Sequence, residues 1–330
     1  MTGPLVEVVI PTVGRPTLLD TLAPLVGRVP VVVADDRPGD VPPLQVPDGV
    51  RVVRSGGRGP AAARNAGWRA STATWVAFVD DDVLPPAGWV DALHRDLARC
   101  DGDVGGTQGR IVVPLPDDRK PTDWERSTSG LESAVWATAD LAYRRAALEQ
   151  VGGFDERFPR AYREDADLGL RVEQAGWRIV RGARHVVHPV RPARWTQSIR
   201  SQRGNADDVL MRALHGPRWR ELAHVPPGRR PWHLATTAAL AVSLGAAATG
   251  HRRTALGAGA VWAGLTGDFA RRRVTAGPLS DAPAMVATSV VLPLAATRWY
   301  ATGWLRLRGL LARGGPQPAA AGDEAARRPA

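Results

Sequence analysis

Short apolar runs alternate with helical spacing through the first hundred residues. Leu5 to Ile10 reads as a strand, closed by Pro11-Thr12-Val13-Gly14-Arg15-Pro16, after which Leu18, Leu22 and Leu25 share one helical face over Thr17 to Leu25. Val29 to Ala34 is a second run, ending at Asp35-Asp36. Val50 to Val53 is a third, leading through Gly56-Gly57-Arg58-Gly59-Pro60 into a helix over Ala61 to Ala70. Trp75 to Val79 is a fourth strand, and Trp89 to Cys100 the helix after it. This alternation predicts an α/β fold with a mixed, mostly parallel sheet flanked by helices.

From Asp101 the pattern weakens. Ile111 to Val113 reads as a strand, Pro114 to Ser129 as a polar loop, and Trp136 to Tyr143 as a further strand. Arg144 to Val151 and Arg163 to Ala175 read as helices stopped by Gly152-Gly153 and Gly176, and Trp177 to Val180 as a strand. The expected division is therefore a catalytic domain over 1–195, a basic helical stretch and linker over 196–231, apolar helices over 232–312 and a disordered tail over 313–330.

Composition adds an asymmetry. The net charge of +10 is uneven: residues 1–180 carry 21 Lys+Arg against 26 Asp+Glu, and residues 181–330 carry 22 against 7. An acidic, cation-binding half and a half that meets something anionic fit that split. A single cysteine, Cys100, supports neither a disulfide framework nor a Cys-rich metal site, and points to a reducing, cytoplasmic setting. Met1 to Glu7 lacks the basic start of a secretory signal.

The densest chemistry is Phe78-Val79-Asp80-Asp81-Asp82-Val83, three carboxylates at the end of an apolar strand. Open α/β sheets bind ligands at that edge, and hard divalent cations are held there by one or two carboxylates plus substrate phosphates. A turn or helix cap is the competing reading for such aspartates. Asp35 and Asp36 are placed to accept from a base edge or ribose, or to close an Asx-turn. Arg64 lies early in a helix, where it faces phosphates or solvent. The Gly56 to Gly59 loop lacks the ending of a P-loop. In Glu164-Asp165-Ala166-Asp167, carboxylates at a helix start either cap it or act as bases, with the helix dipole expected to keep Asp165 ionised.

Taken in order, these residues resemble glycosyltransferase family 2: strand-Pro11-Thr12, Asp35-Asp36, Ala63-Arg64-Asn65-Ala66-Gly67, Phe78 to Asp82, Gly152-Gly153-Phe154-Asp155-Glu156, and Glu164 to Leu168. The resemblance covers roughly residues 5–195 and implies an inverting, nucleotide-sugar-dependent enzyme of GT-A fold. It implies that Pro11, Asp35, Asp36, Arg64, Asp80 and Asp81 bind the donor, a UDP-sugar by preference. Asp82 and Asp80, with His188, would hold Mg²⁺ or Mn²⁺. Asp165 would be the catalytic base, in one crevice with the metal, and Glu164 and Asp140 would meet the acceptor. Val13-Gly14, Arg37-Pro38 and Thr138-Ala139-Asp140 depart from the family's usual residues around the base and sugar pockets.

Three apolar segments follow: Leu234 to Gly250, Thr254 to Ala270 and Met285 to Leu305. The first, as a helix, is roughly 26 Å long, against a hydrocarbon core of roughly 30 Å. Arg298 in the third would cost about 3 kcal/mol at mid-bilayer. Spans, interfacial helices on anionic lipid and a soluble dimerisation region all fit this pattern. The resulting expectation is transfer to a lipid-linked or envelope glycan at the cytoplasmic face of the membrane, with membrane lipid as a partner. The alternatives are a sugar-phosphate nucleotidyltransferase and a non-catalytic basic protein. Nucleic acid is not an expected partner, because the arginines flank apolar segments and are not interleaved with exposed aromatics.

Overall fold

The structure, a computed structural model, describes residues 5–312. The chain divides into a first unit, Met1–Asp118 with Trp124–Pro192, and a second, Arg119–Asp123 with Ala193–Ala330. The tail expected to be disordered, 313–330, lies outside the described residues.

The first unit is a seven-stranded sheet in the order β3-β2-β1-β4-β6-β5-β7, with β1 Val6–Thr12, β2 Val31–Asp35, β3 Arg51–Arg54, β4 Trp75–Val79, β5 Val104–Val112, β6 Asp140–Arg144 and β7 Arg178–Val187. Only β6 opposes its neighbours, pairing antiparallel with β4 and β5. The helices between them are α1 Leu18–Leu22, α2 Pro60–Ala70, α3 Trp89–Ala98, α4 Asp123–Ser129, α5 Arg145–Val151 and α6 Glu164–Gln174. Every residue of β2 and β4 is buried, which is why both read as unbroken apolar runs rather than alternating ones.

Strand β1 is the switch point. It pairs parallel with β2 on one side and with β4 on the other, so the chain reverses the direction in which it adds strands there. A crevice opens outside the carboxyl ends of such strands, and both acidic clusters of the sequence end beside it. Helix α2 closes tightly on β1 because Gly67 carries no Cβ, which would collide with the Val9 side chain. That packing holds Arg64, one turn earlier, at the rim of the crevice. Leu18, Leu22, Leu25 and Leu93 join Val8, Ile10 and Val33 in the core, each contributing roughly 1.5–3 kcal/mol by burial.

Some boundaries differ from those expected. Strand β5 starts at Val104 rather than near Ile111, because Gly105, Gly106 and Gly109 break its apolar pattern. At Gly109 a Cβ would collide with the Asp140 carboxylate. Strand β7 runs to Val187 and carries two extra residues opposite the Gln108 to Arg110 step of β5, the site of a register irregularity. The segment expected to be loop between Pro114 and Ser129 contains α4.

The second unit is helical: α7 Gln197–Ser201, α8 Asn205–His215, α9 Trp219–Leu222, α10 Arg230–Ala248, α11 Arg252–Ala276 and α12 Ala282–Ala312. The three apolar segments fall on α10, α11 and α12. Helices α10 and α11 pair as a hairpin, with Ser243 Oγ donating to the Ala255 carbonyl at 2.9 Å. Buried Arg273 ties α11 to α12 through Thr288, Ser289 and the Met285 carbonyl. Among the described residues one helical stretch, Leu279–Leu310, is long and apolar enough to cross a membrane by length and composition.

Candidate active site

The three carboxylates after β4 have separate partners. Asp81 is turned into the fold: Thr12 Oγ1 donates to its Oδ2 at 2.6 Å, Arg15 pairs with it, and Thr17 Oγ1 donates to its carbonyl at 2.7 Å. Thr21 Oγ1 holds the Val83 carbonyl in the same way at 2.7 Å. Burial pushes the Asp81 carboxyl up despite Thr12 and Arg15. Asp81 is thus a brace that fixes the loop to α1, which leaves Asp80 and Asp82 to face the crevice.

Asp80 Oδ1 accepts from Arg64 Nη2 at 2.7 Å. Asp82 has Arg191 Nε at 3.0 Å on one oxygen and His188 Nε2 at 3.8 Å on the other. His188 is brought there by a two-residue bridge: Leu84 N donates to Val187 O at 2.7 Å and Val187 N to Leu84 O at 3.1 Å. A third bond, His188 N to Val112 O at 2.8 Å, fixes the same residue to β5. The end of β7 and the acidic loop are therefore paired like strands, and residues 82 and 188 meet across that pairing.

Pro11, Thr12, Val13, Arg15, Asp36, Pro60, Ala63, Arg64, Asp80, Asp81, Asp82, Trp124, Ser127, Thr128, Leu131, Ala161, His188 and Arg191 line one cavity of about 440 Å³. That volume lies within the range of cofactor and substrate sites. Asp36 borders it with both oxygens engaged, Oδ1 by Ser55 Oγ at 2.7 Å and Oδ2 by Gly59 N at 2.9 Å. Each oxygen keeps a second lone pair for a ligand.

Several expected residues are placed elsewhere. Asp35 does not line the cavity: its carboxylate takes the Arg37 guanidinium at 2.7 and 2.8 Å and the Arg37 N–H at 3.1 Å, the Asx-turn alternative. These contacts hold its carboxyl below the usual range, the Arg37 hydrogen bond most of all. Asp140 is not at an acceptor site. It is fully buried, accepting from Arg184 Nε at 2.7 Å and Trp89 Nε1 at 3.0 Å. Asp80 does not join Asp82 and His188 as a ligand trio, because Arg64 holds it. Among the described residues no three His, Cys, Asp or Glu side chains converge on one point.

Glu164 and Asp165 are not among the residues that line this cavity; Arg64, which does line it, bonds both Asp80 and Glu164. Its Nη1 donates to Glu164 Oε1 at 2.8 Å while Nη2 holds Asp80. Arg163, immediately before α6, has φ of 78°, a left-handed conformation that L-residues other than glycine adopt at a cost. Burial, then the charge of Asp165, pushes Glu164 up to about 8 against the pull of Arg64. Asp165 is raised too, by burial, and not lowered as its place at a helix start suggested. Its Oδ1 accepts from the Ala166 N–H at 2.8 Å.

The Asp82 and His188 pair fits a small divalent ion. Ligand atoms 3.8 Å apart can both reach one ion at about 2.0–2.2 Å, and Mg²⁺ characteristically takes few protein ligands, with phosphates and water completing its shell.

Residues 7–163 match the family model for glycosyl transferase family 2. The chain carries a glycosyltransferase family 2 domain. It is 32% identical over 194 residues to the pre-mycofactocin glycosyltransferase of Mycobacterium tuberculosis, across 53% of this chain and 40% of that protein. It is 31% identical over 131 residues to the N-acetylglucosaminyl-diphospho-decaprenol L-rhamnosyltransferase of the same organism, across 31% of this chain and 42% of that protein. The chain thus spans about two fifths of the length of these curated relatives. Among solved structures it is similar to a mannosyltransferase from Pyrobaculum calidifontis in complex with GDP-Man and Mn²⁺, with a TM-score of 0.46 and 19% identity over 94% of this chain and 86% of that one.

The glycosyltransferase family 2 match stops at residue 163, so Glu164, Asp165, His188 and Arg191 lie beyond it. Sequence reasoning missed Arg15, Trp124 and Arg191 as lining residues. Asp123-Trp124-Glu125 carries the acidic first turn of a helix, a signal that was available. Arg191 follows Val190 in a run with no periodicity, and nothing in the sequence marks it.

Proposed function

We propose that the protein transfers a sugar from a nucleoside-diphosphate sugar, UDP-linked by preference, to a hydroxyl of a lipid-linked or envelope glycan, with inversion. The observation that carries this reading is the Asp82 and His188 pair facing a cavity of about 440 Å³ in a glycosyltransferase family 2 domain. Pro11 and Asp36 border the part of the cavity assigned to the nucleoside, and Asp80 with Arg64 the part assigned to the donor sugar. Asp82 and His188 are assigned to Mg²⁺ or Mn²⁺, which when bound offsets charge on the diphosphate.

Asp165 is the assigned base. As the acceptor oxygen bonds to the anomeric carbon, the bond to the diphosphate breaks, the acceptor proton passes to the Asp165 carboxylate, and the nucleoside diphosphate leaves as an anion. A carboxyl raised by burial is a better proton acceptor than an ordinary one, which suits this step. The Arg64 bridge from Asp80 to Glu164 connects donor binding to the start of α6. The acceptor class rests on the apolar helices of the second unit and on the decaprenol-linked acceptor named for one relative. Anchoring at the cytoplasmic face of a membrane, with lipid as partner, belongs to the same proposal.

The test is a screen of nucleotide-sugars for hydrolysis in the presence and absence of Mn²⁺, with Asp82→Ala as control. Metal-dependent release of one nucleoside diphosphate, lost in the variant, supports the reading. Hydrolysis indifferent to both metal and variant overturns it.

A further inference from the structure

We propose that Arg191 is an exchangeable counter-ion: it neutralises Asp82 while the site is without donor, and moves to the donor's diphosphate when a divalent ion takes the carboxylate. This inference rests on the metal-site reading above and deepens it.

Asp82 is 7% exposed, and a buried carboxylate without a partner is costly. Its two neighbours are unequal. His188 Nε2 at 3.8 Å is beyond hydrogen-bond range, which leaves Arg191 Nε at 3.0 Å as the close positive partner. The closest approach is through Nε. Among the described residues no side-chain nitrogen of Arg191, Nε included, meets hydrogen-bond geometry, and the side chain is 45% exposed where it borders the cavity. The backbone beneath it is held, since Trp124 Nε1 donates to the Arg191 carbonyl at 3.0 Å. A fixed main chain, a long half-exposed side chain and two uncommitted donors are what a group needs to swap one anion for another without moving the fold. Arg15 and Arg64 differ, because each is tied to a carboxylate through its terminal nitrogens.

The charges make the swap conditional. A divalent ion on Asp82 and His188 would lie beside a guanidinium, so in the absence of a diphosphate the ion must displace Arg191 against repulsion. A diphosphate supplies the oxygens that Arg191 then needs, and the fork of a guanidinium suits phosphate. Metal and nucleoside diphosphate therefore bind cooperatively, each raising the other's affinity by the same factor.

The experiment is Mn²⁺ titration of the whole protein, read as free Mn²⁺ by electron paramagnetic resonance, with and without UDP, for wild type, Arg191→Ala and Arg191→Lys. Without UDP, Arg191→Ala binds Mn²⁺ more tightly than wild type, by about tenfold. With saturating Mn²⁺ it binds UDP more weakly by a similar factor, so the coupling shrinks toward one. Arg191→Lys keeps the charge and stays near wild type in Mn²⁺ affinity. A donor-free Mn²⁺ affinity that is unchanged or lowered in Arg191→Ala overturns the inference while leaving the metal site standing. If Asp82→Asn and His188→Ala do not weaken Mn²⁺ binding, the metal-site reading itself has failed, and this inference with it. Thermal melting of each variant separates these outcomes from misfolding.

Discussion

The first unit holds two clusters of arginine and carboxylate that are alike in composition and opposite in character. Around Arg184, every partner is satisfied. Asp140 and Trp89 close one side, Asp96 and Thr107 the other, and the Ala183 and Arg184 N–H groups donate to Asp96. Around Arg64 the bonding is incomplete: among the described residues Arg64 Nε and Glu164 Oε2 are buried without a partner, and Arg64 borders a cavity. A complete network rigidifies, whereas one with idle donors and acceptors beside open space keeps binding capacity in reserve. Completeness of bonding, more than the presence of charge, separates the structural cluster from the candidate site.

The contrast breaks first if substitutions on the two sides act alike. Asp165→Asn should lower kcat by about 10²–10⁴-fold, as loss of a general base does, with a melting temperature no lower than wild type. Steady-state kinetics with the donor found by screening would check it. Arg184→Met should do the reverse, leaving Asp140 and Asp96 buried without their cation and costing about 3–5 kcal/mol in urea unfolding, while the folded fraction keeps its donor KM. Asp82→Ala should cost about 10²–10³-fold in kcat/KM with unfolding unchanged, the scale of losing a group that stabilises developing charge.

The smallest effect sharpens the comparison through pH. A carboxyl raised to about 8 in the folded protein keeps its proton while the unfolded chain, near 4.5, has lost it. Stability should therefore fall as pH rises from about 4.5 to about 8 and level off above. Glu164→Gln should flatten that decline, seen as a smaller difference in melting temperature between pH 5.5 and pH 8.5. An equal slope in wild type and variant would place the titration elsewhere.

The strands of the switch point were legible because β1, β2 and β4 are buried on both faces, which leaves apolar runs in the sequence, interrupted in β1 by Glu7. The acidic ends of β2 and β4 were legible for the same reason: they are where those runs stop. The partners of those acids were not legible. Asp35 and Asp36 are adjacent, yet one closes on Arg37 and the other faces the cavity, a difference set by which side of the strand each leaves. Asp140 looked like a polar residue near a site. The glycine at 109 that makes room for its carboxylate, and the arginine at 184 that neutralises it, are distant in sequence and meet it only when β5, β6 and β7 are aligned. Glu164 and Asp165 were recognisable as a pair, but the arginine that ties Glu164 to the edge of the cavity, Arg64, comes from a helix a hundred residues earlier.

The two extra residues of β7 have a consequence for evolution of the site. Because strand side chains alternate, losing one of them would rotate everything downstream to the opposite side of the sheet and carry the imidazole at 188 away from Asp82. Losing both would restore the side but disturb the Gly182 to Arg184 segment, whose Ala183 and Arg184 amides grip Asp96. The chemically silent cluster thus sets the phase of the strand that delivers the histidine, and insertions or deletions between Arg181 and His185 should be tolerated far less well than their distance from the cavity suggests.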